Sequence, residues 1–186
     1  MREWRQRHST FALALSAVRA HATPAFEAKD AMPDRIAMTP IGYVRSGRAE
    51  PIDDDWDNVE AAIELDAGQF GADATASLGD FSHIEVVFHF DRVPDEEINT
   101  GARHPRGRKD WPLVGILAQR GKGRPNRIGV TACRLVSVDG LRLRVRGLDA
   151  IDGTPILDIK PVMTGFLPRG PVREPDWAKA LMAGYW

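Results

Sequence analysis

Alternation of apolar and polar side chains dominates the middle of the chain. Ile84, Val86, Phe88 and Phe90 take one side of a period-two pattern, and Glu85, Val87, His89 and Asp91 take the other. That period predicts a strand with one buried face. Leu141, Leu143 and Val145 alternate in the same way with Arg142, Arg144 and Arg146. Ile128–Val138 precedes this arm, and Asp139-Gly140 stands between the two, so a type I′ hairpin is predicted. Ala61–Leu65 and Ile156–Ile159 predict two short strands. Ile36–Val44, interrupted by Pro40 and Gly42, predicts an edge strand. Leu113–Ala118 is continuously apolar and predicts a buried strand. A helical period is clear only near the end. There Pro175 opens a stretch to Tyr185 in which Trp177 and Leu181 lie four apart. Many short strands with a single short helix predict a mainly β chain, folded as a barrel or a sandwich.

Residues 1–33 break the pattern. Their start, Met1 to Arg7, is basic, and a weakly apolar run from Phe11 to Val18 ends at Arg19 and His21. The order is that of an export signal, but the run is short. The reading is a loose extension, or a start codon placed ahead of the true one at Met32.

Composition narrows the class. The 186 residues are 43% hydrophobic and 27% charged, as in an ordinary soluble globular protein. No run approaches the roughly 20 apolar residues that a membrane span needs. The one cysteine, Cys133, excludes an internal disulfide framework and a multi-cysteine zinc site. It fits a reducing compartment, so a cytoplasmic location is expected. The net charge of −1 excludes nucleic-acid binding through bulk charge. The charges are nevertheless segregated. Glu50–Asp66 holds eight acidic side chains and no basic one, and Arg103–Arg127 holds eight Lys or Arg against Asp110 alone. Such segregation builds either a local surface for anions or two solvated faces that balance.

No G-x-G-x-x-G turn, phosphate-binding P-loop or G-x-S-x-G elbow is present. His83, His89 and His104, with Asp91, are the types that ligate a metal or act as a general base. Their spacing matches no zinc motif, and no metal is expected. His89 stands out because it shares a strand face with Glu85 and Asp91. The stretch from Ala102 to Gly129 is rich in Arg, Pro and Gly. Pro and Gly fix loop shape, and Arg presents planar donors to phosphate, carboxylate or a stacked base. Asp149 to Pro155 has turn chemistry throughout. It is an inter-strand corner, a loop whose backbone groups grip a polar ligand such as an adenine edge, or both.

Six segments in order carry a resemblance. They are Pro40–Ser46, Phe81–Phe90, Arg103-His104-Pro105, Gly115–Arg120, Arg124–Gly129 and Leu148–Pro161. The string resembles the TrmO family, also called YaeB or TsaA-like, from about Pro40 to Pro161. The resemblance implies a compact β-barrel with short helices and a C-terminal helix, spanning 34–165 between the 1–33 extension and a 166–186 tail. It implies an S-adenosyl-L-methionine-dependent methyltransferase that works as a homodimer with its site at the subunit interface. The implied partner is tRNA, methylated at the exocyclic nitrogen of threonylcarbamoyladenosine beside the anticodon. Cofactor contacts then fall at Asp54, Asp55 and Trp56, at His89 and Phe90, at Arg120, and at Leu148, Asp149, Ala150, Ile151 and Asp152. His89 and Arg120 take the catalytic roles, and Arg103, His104, Arg124, Asn126 and Arg127 the RNA contacts. Asp53-Asp54-Asp55-Trp56 departs from the Pro-Arg-Gln run of many relatives, and only about 25 residues follow Pro161. These departures leave two alternatives: a methyltransferase of this fold on another substrate, and a non-catalytic barrel that binds S-adenosyl-L-methionine or RNA.

Overall fold

Eight strands and one helix follow one another in the computed structural model, which describes residues 35–186. The basic start, the Phe11–Val18 run and Met32 lie outside the described residues. The strands are β1 Gly42–Ser46, β2 Glu60–Leu65, β3 His83–His89, β4 Ala102–Arg103, β5 Val114–Gly115, β6 Ile128–Asp139, β7 Arg142–Arg146 and β8 Pro155–Pro161. The helix is α1, Asp176–Met182. Six strands close a barrel in the order β1-β2-β7-β6-β3-β8, and β4 and β5 form a separate ribbon. Every neighbouring pair in the barrel is antiparallel. Among the described residues no helix is long and apolar enough to cross a membrane.

The predicted alternation is what closes this barrel. Ile84, Val86 and Phe88 point inward with Val44, Ile63, Cys133, Leu143, Val145 and Ile156, all essentially buried. Each large apolar side chain removed from water contributes about 1.5–3 kcal/mol. Gly129 is required by this packing, because a Cβ there would lie 2.4 Å from the Phe88 ring.

Three expectations are corrected. Ile36–Val44 is not an edge strand: only Gly42–Ser46 is extended, and it pairs with β2 on one side and β8 on the other. Closure of the barrel removes the edge. Leu113–Ala118 is not a buried strand. Leu113 is 62% exposed and Leu117 83% exposed, and a turn of 3₁₀ helix replaces the strand after Gly115. The run lies in a loop outside the barrel, and of its large side chains only Ile116 is buried. The hairpin exists, but Asp139 pairs with Arg142 and the turn is Gly140-Leu141. Of the turn's residues only Gly140 has a positive φ, +53°, which is the type II′ pattern rather than I′.

Antiparallel order decides where the loops go. One mouth of the barrel collects the C-terminal ends of β1, β7 and β3 and the N-terminal ends of β2, β6 and β8. Loops 47–59, 90–127 and 147–154 therefore meet there. β7 and β8 lie opposite each other in the ring, so 147–154 spans the mouth.

Candidate functional site at one mouth of the barrel

The spanning loop is tied at both ends, at its start by the Gly147 N–H, which donates to the Val59 carbonyl at 3.0 Å. Asp152 accepts the Ser46 N–H on Oδ1 at 3.0 Å, its N–H donates to the Arg48 carbonyl at 2.9 Å, and its carbonyl accepts Arg92 Nη2 at 2.8 Å. The Gly153 N–H donates to the Val44 carbonyl at 2.9 Å with φ at +83°, a conformation that suits glycine. Between the ties, Leu148 and Ala150 bury their side chains in the barrel end. The N–H groups of Leu148, Asp149, Ala150 and Ile151 make no hydrogen bond among the described residues. A row of free peptide donors at the lip of a core is unusual, because backbone polar groups near a core are nearly always paired.

Asp149 is braced from two sides. The Thr131 hydroxyl donates to Oδ1, and the Tyr185 hydroxyl donates to Oδ2 at 2.5 Å. Tyr185 is carried there by the chain after α1, which runs along loop 47–59. The Asp55 N–H donates to the Gly184 carbonyl at 3.0 Å, and the Trp56 N–H to the Tyr185 carbonyl at 2.9 Å. Burial first, and then the charge of Asp149, push the Tyr185 phenol far above its ordinary pKa. The same two causes push the Cys133 thiol up to about 12, so it stays protonated and unreactive.

Asp54, Asp55 and Trp56 are fixed by arginines. Arg106 holds the Asp54 carboxylate with two bonds of 2.6 and 3.0 Å. Arg48 donates to the carbonyls of Asp54 and Asp55 at 3.0 and 3.3 Å, and its guanidinium lies 4.2 Å from the centre of the Trp56 ring. Trp56 is only 3% exposed. Asp55 adopts a φ of +61°.

His89 and Phe90 end β3 at this mouth, both half-buried. The Phe90 ring meets Phe88 edge-on at 5.1 Å, and its N–H donates to the Arg127 carbonyl at 2.8 Å. Arg120 is exposed, donates to the Val130 carbonyl, and lies near enough to Tyr185 to act on it electrostatically. The remaining basic residues turn inward on their own loops. Arg127 Nη1 donates to the Val93 carbonyl at 2.7 Å, and Arg124 Nη1 to the Gln119 carbonyl at 3.2 Å. Arg103 packs half-buried against the 119–124 loop, with its Nε unpartnered. His104 Nδ1 donates to the Trp111 carbonyl at 2.7 Å. Asn126 is exposed. The row Arg142, Arg144 and Arg146 pairs across strands with Glu64, Glu60 and Asp57, so the two segregated charge runs partly cancel on the barrel wall. His83 and His89 stand at opposite ends of β3, and no three His, Cys, Asp or Glu side chains gather as metal ligands among the described residues.

The fold thus brings 53–56, 89–90, 120 and 148–152 to one mouth. Sequence reasoning missed Tyr185, Thr131, Arg48 and Arg106. Tyr185, Thr131 and Arg106 work through partners distant in sequence, and Arg48 acts through a loop fold that no local pattern announces.

A family model for the tRNA-methyltransferase O N-terminal domain matches residues 46–166. The chain belongs to this family. A probable S-adenosyl-L-methionine-binding protein of Pyrococcus abyssi is 33% identical over 77% of this chain and 74% of its own length. The mouse tRNA (adenine(37)-N6)-methyltransferase is 36% identical over 48% of this chain, which covers 20% of that enzyme. The crystal structure of TrmO from Pseudomonas aeruginosa superposes with a TM-score of 0.60 at 27% identity, over 75% of this chain and 61% of that one. Against the mouse enzyme and the Pseudomonas structure the chain therefore spans less than two thirds of the relative. The stretch matched to the family ends before α1 and Tyr185, so of the two braces on Asp149 the one from Tyr185 comes from outside it and the one from Thr131 from within.

Proposed function

We propose that the protein is an S-adenosyl-L-methionine-dependent methyltransferase that modifies tRNA. Its substrate is the exocyclic nitrogen of threonylcarbamoyladenosine next to the anticodon. The observation that carries this reading is the convergence, at one mouth of a barrel of this family, of every segment that the family resemblance marks for the cofactor. The donor set fits the group. The free N–H row from Leu148 to Ile151 suits the acceptor edge of an adenine. Asp53 and Asp55 offer carboxylates to an amino group, while Asp54 is already held by Arg106. Phe90 offers an aromatic ring, whereas one face of Trp56 is taken by Arg48.

The bound cofactor supplies an electrophilic methyl group on a sulfonium centre. The chain's own work is alignment and exclusion of water, since a direct displacement needs no metal. Aromatic faces favour positive charge beside them, which is the part assigned to Phe90. His89 takes the proton from the substrate nitrogen as general base. Arg120 keeps N–H donors beyond the one bonded to Val130, and these polarise the group next to that nitrogen. Arg103, Arg124 and Arg127 hold the shape of the loops, and His104 and Asn126 belong to the same face that meets RNA.

The working unit is a homodimer with its site at the seam. Leu113, Leu117 and Phe166 are 62, 83 and 88% exposed, and a second copy is what would cover them. The test is mass analysis of tRNA nucleosides from a strain lacking the gene. Loss of the methylated threonylcarbamoyladenosine is expected. An unchanged nucleoside profile overturns the reading.

A further inference from the structure

We propose that His83, Arg134, Arg146 and Trp186 form a subsite on the flank of the barrel that binds one nucleotide of single-stranded RNA. It rests on the reading of the protein as acting on RNA, and it lies among residues that the resemblance does not mark.

The argument starts from register. His83 pairs directly with Arg134 across β3 and β6, and Arg134 pairs directly with Arg146 across β6 and β7. The residues that flank them, Ile84, Cys133, Leu135 and Val145, are buried, so all three basic side chains stand on the outer face of the wall. Like charges directly opposite each other on a sheet are destabilising. Among the described residues, relief in the row comes at one end. Arg146 donates to the Asp57 carbonyl at 2.9 Å and lies 3.7 Å from the Asp57 carboxylate. Arg134 has no carboxylate partner among the described residues, and His83 meets only the Ser82 hydroxyl, at 2.8 Å. Elsewhere on the wall the acids of β2 neutralise the arginines of β7 pair by pair. Glu60 stands opposite Arg146 in the register but reaches Arg144, so the positive charge left without a carboxylate partner is centred on Arg134.

The same residues line a cavity of about 370 Å³ together with Ala132, Gly147 and Asp57, the acid beside Arg146. That volume is within the range of ligand pockets, about 300–1,000 Å³. Trp186 is half-exposed, yet it is fixed. Its ring packs edge-on against Tyr185 at 4.9 Å, and Tyr185 is tied to Trp56 and Asp149. An exposed aromatic face beside Arg134, which has no carboxylate partner among the described residues, matches the two parts of a nucleotide. The base stacks, and the guanidinium groups take the phosphate. A paired A-form stem hides its base faces, so the occupant is an unpaired nucleotide.

The test uses the full chain with a fluorescein-labelled single-stranded oligoribonucleotide and with S-adenosylhomocysteine. Arg134→Gln and Trp186→Ala should each weaken RNA binding by about tenfold. Trp186→Phe, which keeps a ring, should restore most of it. Binding of S-adenosylhomocysteine should stay at the wild-type level in all three. Arg134 is exposed, and its removal relieves repulsion, so Arg134→Gln should melt slightly higher in low salt. Unchanged RNA affinity in Arg134→Gln and Trp186→Ala overturns the proposal. A phosphate-induced rise in melting temperature that Arg134→Gln abolishes, with RNA affinity unchanged, marks a small-anion site and also overturns it. Failure of the wild type to bind S-adenosylhomocysteine speaks against the methyltransferase reading and leaves the RNA comparison readable.

Discussion

The wall of the barrel and the loops over its mouth are held by different interactions. In the wall, each strand buries every second side chain, and the ladder satisfies the backbone with neighbours on both sides. In the mouth, side chains satisfy the backbone. Arg48, Arg92, Arg124, Arg127 and Arg146 all donate to main-chain carbonyls there, and Gln119 reaches the carbonyls of Arg103 and Val114. A loop without a ladder must find partners for its carbonyls, and a guanidinium offers five donors in a rigid fork. The arginine-rich composition of 103–127 is therefore partly architectural. A wall tolerates the loss of one exposed group, whereas a loop hung on a few charged donors fails locally when one is removed.

The largest difference should come from the wall. Phe88→Ala opens a cavity in the centre of the core and should cost about 3–5 kcal/mol in denaturant unfolding. All probes of the barrel should lose stability together, because the core is one cluster. A loss below about 1 kcal/mol would mean that the interior is not packed as described.

Next comes the mouth. Arg127→Ala removes a charged donor from the Val93 carbonyl and should cost about 2 kcal/mol. The effect should be local. Amide exchange should rise in 93–127 while β3 and β7 keep their protection. Arg127→Lys should not rescue it, since an ammonium lacks the guanidinium's geometry. Global destabilisation without local opening would erase the distinction between wall and mouth.

The same contrast explains what the sequence revealed. The period-two runs at Ile84–Phe90 and Leu141–Val145 were legible because a strand's environment repeats along the strand itself. Leu113–Ala118 has the right composition for a buried strand and is not one. Its exposure follows from its place in a loop, which composition does not record. Asp-Gly is a strong I′ signal and predicts the turn one residue early, while the register that closes the barrel puts Gly140 first. The convergence of 53–56, 89–90 and 148–152 was reachable only through family resemblance. Tyr185 was not reachable at all, because its partner Asp149 lies 36 residues away and meets it through a third segment.

Tyr185 gives a smaller, pH-dependent test. Tyr185→Phe deletes the bond to Asp149 and should cost about 1.5 kcal/mol at neutral pH. The folded phenol and the Cys133 thiol both have pKa values above those of the unfolded chain. Their contributions are therefore complete below their ordinary values, near 10 and near 8.5, and are lost as pH rises beyond them. The wild type should lose stability steadily above about pH 9. Tyr185→Phe combined with Cys133→Val should flatten that decline. A double variant with the wild-type slope would remove both groups from the account of alkaline unfolding.

The smallest effect belongs to the wall's outer face. Arg144 and Glu60 meet at 3.1 Å, with about half of each side chain open to water. Water screens such a pair, and ordering two long side chains offsets most of the attraction. Arg144→Ala should change stability by less than about 0.5 kcal/mol. The ladder around it, Ala62 opposite Arg144 on one side and Ser137 on the other, does not depend on that side chain. The comparison sharpens when Arg144→Ala and Arg134→Gln are melted side by side in low salt. Both remove one exposed arginine from the same outer face. Arg144 has an acid beside it and Arg134 has two bases. Arg144→Ala should leave the melting temperature unchanged or slightly lower, and Arg134→Gln should raise it. Added salt should shrink both shifts, since each comes from screened charge. Two shifts of the same sign would mean that residue-by-residue pairing on this face does not set the local electrostatics.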